Sequence, residues 1–231
     1  DPAAVPPETA CAILPATRAC AGLLAQAALG WPARRLVAVA VTGTNGKTTV
    51  AHLIRGVLAE AGHRPALLGT ISYQTGSRAV PAGTTTPGPV ELAELTAEMV
   101  AAGMTHLVME ASSHALDQDR TAGLEFAAGV FTNLTGDHLD YHRTMDDYLA
   151  AKRRLFEQLG EGATAVVNRD DPAGEAMASP VRGRTIWYGL SPAADLQGRI
   201  RRIDVAGTEF TIVWRGAEAH ARTPLIGRHN V

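Results

Sequence analysis

From Leu36 onward, short apolar runs alternate with amphipathic stretches along the chain. The runs LVAVAV, ALLGTIS, HLVM, AAGVFT, TAVVN and RTIWY have strand length and little polar alternation, which predicts strands at 36–41, 66–72, 106–109, 127–132, 164–168 and 184–188. Between them, apolar positions recur at helical spacing and predict helices at 47–61, 90–102, 114–121 and 145–159, with a short one near Ala173. Strands apolar on both faces and separated by helices belong to a parallel sheet covered on both sides, so the fold class is α/β, doubly wound and mostly parallel. The stretch LQGRIRRIDVAGTEFTIVWRGAEAHARTPL instead alternates polar and apolar residues around Gly-containing turns. It predicts a small antiparallel hairpin set on the sheet edge near the C-terminus. Residues 1–35 begin Pro-rich and then give one Ala/Leu helix at 17–29, closed by Gly30 and Pro32. That segment is expected to be a linker or the remnant of a preceding domain, with 36–231 forming one domain.

With 46% hydrophobic residues in 231, the chain can bury a sizeable core. A formal charge of -2 argues against a nucleic-acid binder, which usually carries a strongly basic face. No apolar run approaches the ~20 residues of a membrane-spanning helix, so no membrane partner is expected. The two cysteines, Cys11 and Cys20, have no histidines at metal spacing and suit reduced packing positions in a cytoplasmic protein, expected to act as a monomer.

The segment VTGTNGKTT carries the clearest chemistry. An apolar strand feeds a Gly-rich turn, and a helix begins at Lys47 with Thr48 and Thr49 in its first turn. Free N–H groups and the helix dipole converge there on an anion, Lys47 adds a full charge, and the Thr48 hydroxyl is available to Mg²⁺. The common spelling G-x-x-x-x-G-K-[ST] would need glycine at position 41, where this chain has Val41, so the turn is a shorter variant. Glu110 ends the strand in THLVMEASSH; it reads either as a metal ligand beyond a strand's carboxyl end or as an acid flanking the next helix. NLTGDHLDYH offers Asp137, His138, Asp140 and His142, either a metal or proton-transfer site or a set of turn-forming polar residues. In MDDYLAAKRRLFEQL, Lys152 lies on the apolar face between Tyr148 and Phe156, which marks a buried ion pair, a functional amine, or a side chain reaching the rim of the core. Thr84, Thr85 and Thr86, and then Ser112, Gln118 and Arg120, are either anion-holding groups or helix caps.

Taken in order, GTNGKTT, TTTP, MEASSHALDQDR, FTNLTGDHLDYH, YLAAKRRLF and VNRDDPAG resemble the Mur ligases, ATP-dependent amide-forming enzymes of peptidoglycan synthesis. The similarity runs from Leu36 to Asn230 and is greatest to the members that add the third peptide residue. It implies an acid–amino-acid ligase that joins a diamino acid to UDP-N-acetylmuramoyl-L-alanyl-D-glutamate, with meso-diaminopimelate favoured over L-lysine. It implies ATP bound by Gly43, Thr44, Asn45, Gly46, Lys47, Thr48 and Thr49, with Asn230 at the adenine. It implies Mg²⁺ at Thr48, Glu110, His138 and Lys152, the last carboxylated on its amine by CO₂, and catalytic roles for Lys47, Glu110, His138 and Lys152. Thr85, Thr86, Ser112, Gln118 and Arg120 match positions that hold the UDP-muramoyl dipeptide, and Thr84 an adjacent position that is usually asparagine. Ala111 and Gly136 depart from the family's usual valine and arginine. The resemblance further implies flanking N-terminal and C-terminal domains absent from this chain, and hence a fragment with little activity alone. A folylpolyglutamate- or cyanophycin-type ligase, or a non-catalytic nucleotide-binding module, are the alternatives.

Overall fold

The computed structural model describes residues 17–231; the Pro-rich start and Cys11 lie outside the described residues. Helix α1 (Thr17–Ala28) leads through a 3₁₀ turn (Pro32–Arg35) into the central strand β1 (Val37–Thr42). There follow α2 (Lys47–Glu60), β2 (Pro65–Leu68), β3 (Ser72–Gln74), β4 (Ala79–Pro81), α3 (Pro89–Ala101), β5 (His106–Glu110) and α4 (Ser113–Asp117). The second half holds β6 (Phe126–Phe131), α5 (Leu139–His142), α6 (Met145–Glu157), β7 (Thr164–Asn168), α7 (Gly174–Ala178) and β8 (Arg184–Gly189). Strands β9 (Leu196–Asp204), β10 (Gly207–Trp214) and β11 (Ala217–Thr223) close the chain.

The eleven strands of the described residues join one sheet in the order β11-β10-β9-β8-β7-β6-β1-β5-β2-β3-β4. Its centre is parallel, as the doubly apolar runs predict, and Val39, Val41 and Val108 contact one face while Ala38, Ala40 and Met109 contact the other. The C-terminal hairpins are antiparallel as expected. Strand β9 pairs with β8 only at Tyr188 and Gly189 and then runs on past it, so β9, β10 and β11 stand beyond the carboxyl ends of the parallel strands.

Two expectations are corrected. The run at 66–72 is not one strand: β2 stops at Leu68, the chain turns at Gly69 and Thr70, and β3 returns antiparallel. With β4 it makes a second antiparallel edge, which the sequence pattern does not show. The helix expected at 114–121 is confined to Ser113–Asp117, and the short α5 was not expected.

Helix α1 packs on α3. Buried Gln26 ties the two together, its Nε2 donating to Thr96 Oγ1 (3.2 Å) and its Oε1 accepting from the Ala33 N–H (3.1 Å). Removing a group that satisfies buried polar partners costs about 1–3 kcal/mol. Gln26→Ala is therefore expected to lower stability in urea titration by about that amount and to expose α1 to proteolysis first; an unchanged midpoint would show that α1 is not anchored through this residue.

Candidate active site

The turn after β1 is built from both sides. Gly43 (φ 145°) and Gly46 (φ 83°) take backbone conformations that L side chains rarely adopt. From the end of β6, Asn133 accepts the Thr44 N–H on its carbonyl (2.9 Å) and the Asn45 N–H on Oδ1 (3.0 Å), while Thr132 Oγ1 donates to Asn45 O (2.7 Å). The Thr44 hydroxyl engages Thr135 and Tyr148, its Oγ1 lying 3.2 Å from the Tyr148 OH. Thr44 and Asn45 thus spend their amides on the frame. The first intrahelical bond of α2 runs from the Val50 N–H to Gly46 O (2.9 Å), which leaves the amides of residues 46–49 as the set aimed outward. That is a helix N-terminus suited to phosphate oxygens.

Two lysines meet at this turn. Lys47 Nζ donates to Gly43 O (2.9 Å) and Thr44 O (2.8 Å), and Lys152 Nζ donates to the same Gly43 O (2.8 Å). Lys152 is 1% exposed, so it does not reach the rim of the core, and no carboxylate among the described residues forms an ion pair with it; its neighbours are a carbonyl oxygen and the Tyr148 ring, 4.3 Å away. Burial, then the charge of Lys47, pushes its pKa down to about 7. Burial also lowers the pKa of Lys47, partly offset by the negative charges of Glu110 and Asp137.

Glu110 ends β5, the neighbour of β1, and its side chain returns to the turn: Oε2 accepts from Thr48 Oγ1 (2.9 Å). The structure thus joins Thr48 and Glu110, both hard oxygen donors beside a helix N-terminus suited to an anion. This donor set fits Mg²⁺, which takes few protein ligands and prefers oxygen. His138, in the left-handed conformation (φ 53°), directs its ring to within 6.1 Å of the Tyr148 ring and 5.1 Å of the His114 ring. His138 and Lys152 therefore flank the same tyrosine. His142 joins this ring cluster, 5.2 Å from the Tyr148 ring and 5.4 Å from the His114 ring; it is buried, with Nε2 2.9 Å from Ser113 Oγ, and holds α5 against α4.

The remaining predicted residues form a connected surface on the other side of Glu110. Thr86 Oγ1 donates to Glu110 O (2.8 Å) and accepts from the Ser112 N–H (3.1 Å). Ser112 caps α4, and Arg120 Nη1 donates to Thr86 O (3.1 Å) while its Nη2 and Nε hold Gln118 Oε1 at 2.7 and 3.0 Å. Thr84 donates to Thr86 O (2.8 Å), and Thr85 Oγ1 lies 3.1 Å from Thr70 Oγ1. Asn230 stands apart, its amide bonded to Ile226 O (3.0 Å). The adjoining Val231 faces Gly198 of β9, on the part of the sheet that projects past the carboxyl ends. Sequence reasoning missed Gly69, Thr70, Asn133 and Tyr148, although the strand-end position of Asn133 in FTNLTG was a usable signal.

Similarity to known proteins runs along the same residues. The family model for the Mur ligase middle domain matches residues 41–231. A UDP-N-acetylmuramoyl-L-alanyl-D-glutamate–2,6-diaminopimelate ligase of Parabacteroides distasonis is 43% identical over 209 residues, 90% of this chain and 42% of the relative. The ligase of the same name from Aquifex aeolicus is 41% identical over 211 residues, 91% of this chain and 43% of the relative. A solved structure of a ligase with that name superposes with a TM-score of 0.82 at 31% identity, covering 95% of this chain and 46% of that one. A Mycobacterium tuberculosis folylpolyglutamate synthase complexed with ADP shares the fold (TM-score 0.66, 18% identity, 85% of this chain and 50% of that one). The chain thus spans less than half the length of these two curated ligases. No helix among the described residues is long and apolar enough to cross a membrane. With the match covering the turn at Gly43, Glu110, His138 and Lys152 alike, the chain belongs to the Mur ligase family, and residues 41–231 are its middle domain.

Proposed function

We propose that the chain is the ATP-using domain of a ligase that joins meso-diaminopimelate to UDP-N-acetylmuramoyl-L-alanyl-D-glutamate in the cytoplasm, acting as a monomer. Residues 36–231 form the central domain in this reading and 1–35 lead into it. The observation that carries it is the meeting of Thr48, Glu110 and two buried-side lysines at one helix N-terminus. The names of the relatives support the substrate pair.

A carboxylate is a poor electrophile because its charge is delocalised and repels nucleophiles. Transfer of the ATP γ-phosphoryl group to the substrate carboxylate gives an acyl phosphate and ADP. The diamino acid's amine then attacks the acyl carbon, the amide forms, and inorganic phosphate leaves with the acyl C–O bond broken. Phosphoryl transfer asks a protein mainly for positioning and charge stabilisation. The amides of residues 46–49 and the Lys47 ammonium supply both at the β- and γ-phosphates, with Gly43, Thr44 and Asn45 shaping the turn. Thr48, Glu110, His138 and carboxylated Lys152 would hold Mg²⁺, which neutralises phosphate charge when bound. Lys152 is prepared for reaction with CO₂ because only a neutral amine is nucleophilic, and its low pKa leaves a large neutral fraction near pH 7. Thr85, Thr86, Ser112, Gln118 and Arg120 line the dipeptide's side of Glu110, with Thr84 shaping that loop, and Asn230 is the adenine contact.

Lys47→Ala is expected to weaken MgATP binding to the chain by about 100-fold, a loss of about 3 kcal/mol for a desolvated charge–phosphate contact. Isothermal titration calorimetry measures it, and an affinity equal to that of the unaltered chain would overturn the reading of the turn.

A further inference from the structure

We propose that the Gly69–Thr70 dipeptide is the positioning element of Glu110, with Thr70 setting the carboxylate against the phosphate turn and linking it to Thr85. The proposal rests on the cation site of the preceding reading. Thr70 reaches both carboxylate oxygens at once: its N–H donates to Glu110 Oε1 (2.9 Å) and its Oγ1 donates to Oε2 (3.1 Å). The terminal torsion of a glutamate is broad and roughly two-fold, so one bond would leave the carboxylate plane free to turn. Two bonds from one residue fix it, and with it the lone pairs of Oε2 that face Thr48.

Gly69 makes the approach possible. A Cβ at this position would land on Glu110 Oε1, so any other residue would push the carboxylate off its clamp. The same clamp accounts for the break between β2 and β3, because the Thr70 N–H points at Glu110 and not at a neighbouring strand.

Proton inventory extends the link. A threonine hydroxyl has one proton, and that of Thr70 is donated to Glu110 Oε2. The 3.1 Å contact between Thr70 Oγ1 and Thr85 Oγ1 is then a bond donated by Thr85. Thr85 consequently turns only lone pairs outward and is suited to a substrate N–H or O–H, not to a carboxylate or phosphate. Four oxygens in series, on Thr48, Glu110, Thr70 and Thr85, join the nucleotide side to the substrate loop. Thr70 is exposed, so its hydroxyl is not there to fill the core.

The test uses Thr70→Val, which keeps the shape and the N–H but loses the hydroxyl, and Thr70→Ser, which restores it. Mn²⁺ binding to the 231-residue chain is followed by electron paramagnetic resonance with a saturating non-hydrolysable ATP analogue. Partners behind a metal ligand typically contribute 10–100-fold to metal affinity, so Thr70→Val is expected to weaken Mn²⁺ binding about tenfold. Thr70→Ser should stay within about twofold of the unaltered chain, and in a Glu110→Gln background Thr70→Val should add no further loss. Unchanged Mn²⁺ affinity in Thr70→Val, an equal loss in Thr70→Ser, or a full additional loss in the Glu110→Gln background would each overturn the proposal. If the unaltered chain binds Mn²⁺ no better with the analogue than without it, the cation reading itself fails.

Discussion

In CO₂-free buffer, Lys152→Met is expected to make the folded chain more stable, with an advantage that is largest below pH 7 and shrinks as the pH rises. The sign follows from proton binding in the two states. An unfolded lysine keeps its proton up to the ordinary value of 10.5, whereas folded Lys152 releases it above about 7. Between those values the unfolded chain binds more protons, so the stability of the unaltered chain climbs by about 1 kcal/mol per pH unit from 7 toward 10. Below pH 7 both states are protonated and the full cost of burying an ammonium is present. Methionine removes that cost at every pH, and Gly43 O keeps the Lys47 donor. Denaturant titrations at pH 6, 7, 8 and 9 measure the difference between the two proteins; a gap that does not change with pH would sink the claim. Adding ¹³C-labelled bicarbonate should then give the unaltered chain a carbamate signal, increasing from pH 6 to 8, that the Lys152→Met chain lacks. A residue that destabilises the fold near neutrality while meeting the site's chemistry is a typical compromise between stability and activity.

That compromise was partly legible in the sequence. Helical spacing alone placed Lys152 on an apolar face, and the start of α2 at Lys47 followed from the strand, the glycines and the threonines. The position of Glu110 at a strand's carboxyl end was legible, where open α/β sheets face ligands, but not whether it serves a metal or flanks the next helix. What helical spacing could not reveal is the partner. Gly43 O is 109 positions away from Lys152, and local periodicity carries no information about which carbonyl a buried amine will find. The Gly69–Thr70 break was hidden for the same reason. ALLGTIS is apolar enough to continue as one strand, and what stops it is the Thr70 N–H turning to a carboxylate 40 residues later. Strands β3 and β4 are three residues each, too short for an alternating pattern to stand out. The Asn133 frame escaped because a strand-end asparagine has many uses, and only the fold shows that it bonds the amides of two loop residues.

The two loop glycines give the second large effect, and they separate space from backbone strain. At Gly43 a Cβ would land on the Thr132 hydroxyl and stand 3.1 Å from Asn133 O, in a backbone conformation (φ 145°) that side chains rarely adopt. Strain of about 1–3 kcal/mol and overpacking of similar size both apply, so Gly43→Ala is expected to cost about 2–6 kcal/mol in stability. The same displacement moves Gly43 O, which holds Lys47 and Lys152 together, and pulls the turn from its Asn133 frame. MgATP affinity should therefore fall on the order of 100-fold or more, as for a lost phosphate-binding charge. At Gly46 (φ 83°) nothing lies within 4 Å of an added Cβ, so only left-handed strain of about 1–2 kcal/mol remains. Gly46→Ala should lose about tenfold in affinity if all of that strain is felt in the bound loop. Calorimetric titration of both variants with MgATP distinguishes the causes. Equal losses would mean that backbone conformation alone governs the turn; a much larger loss at Gly43 would mean that its contact with Thr132 and Asn133 sets the shape of the turn and the position of the two lysines bonded to Gly43 O.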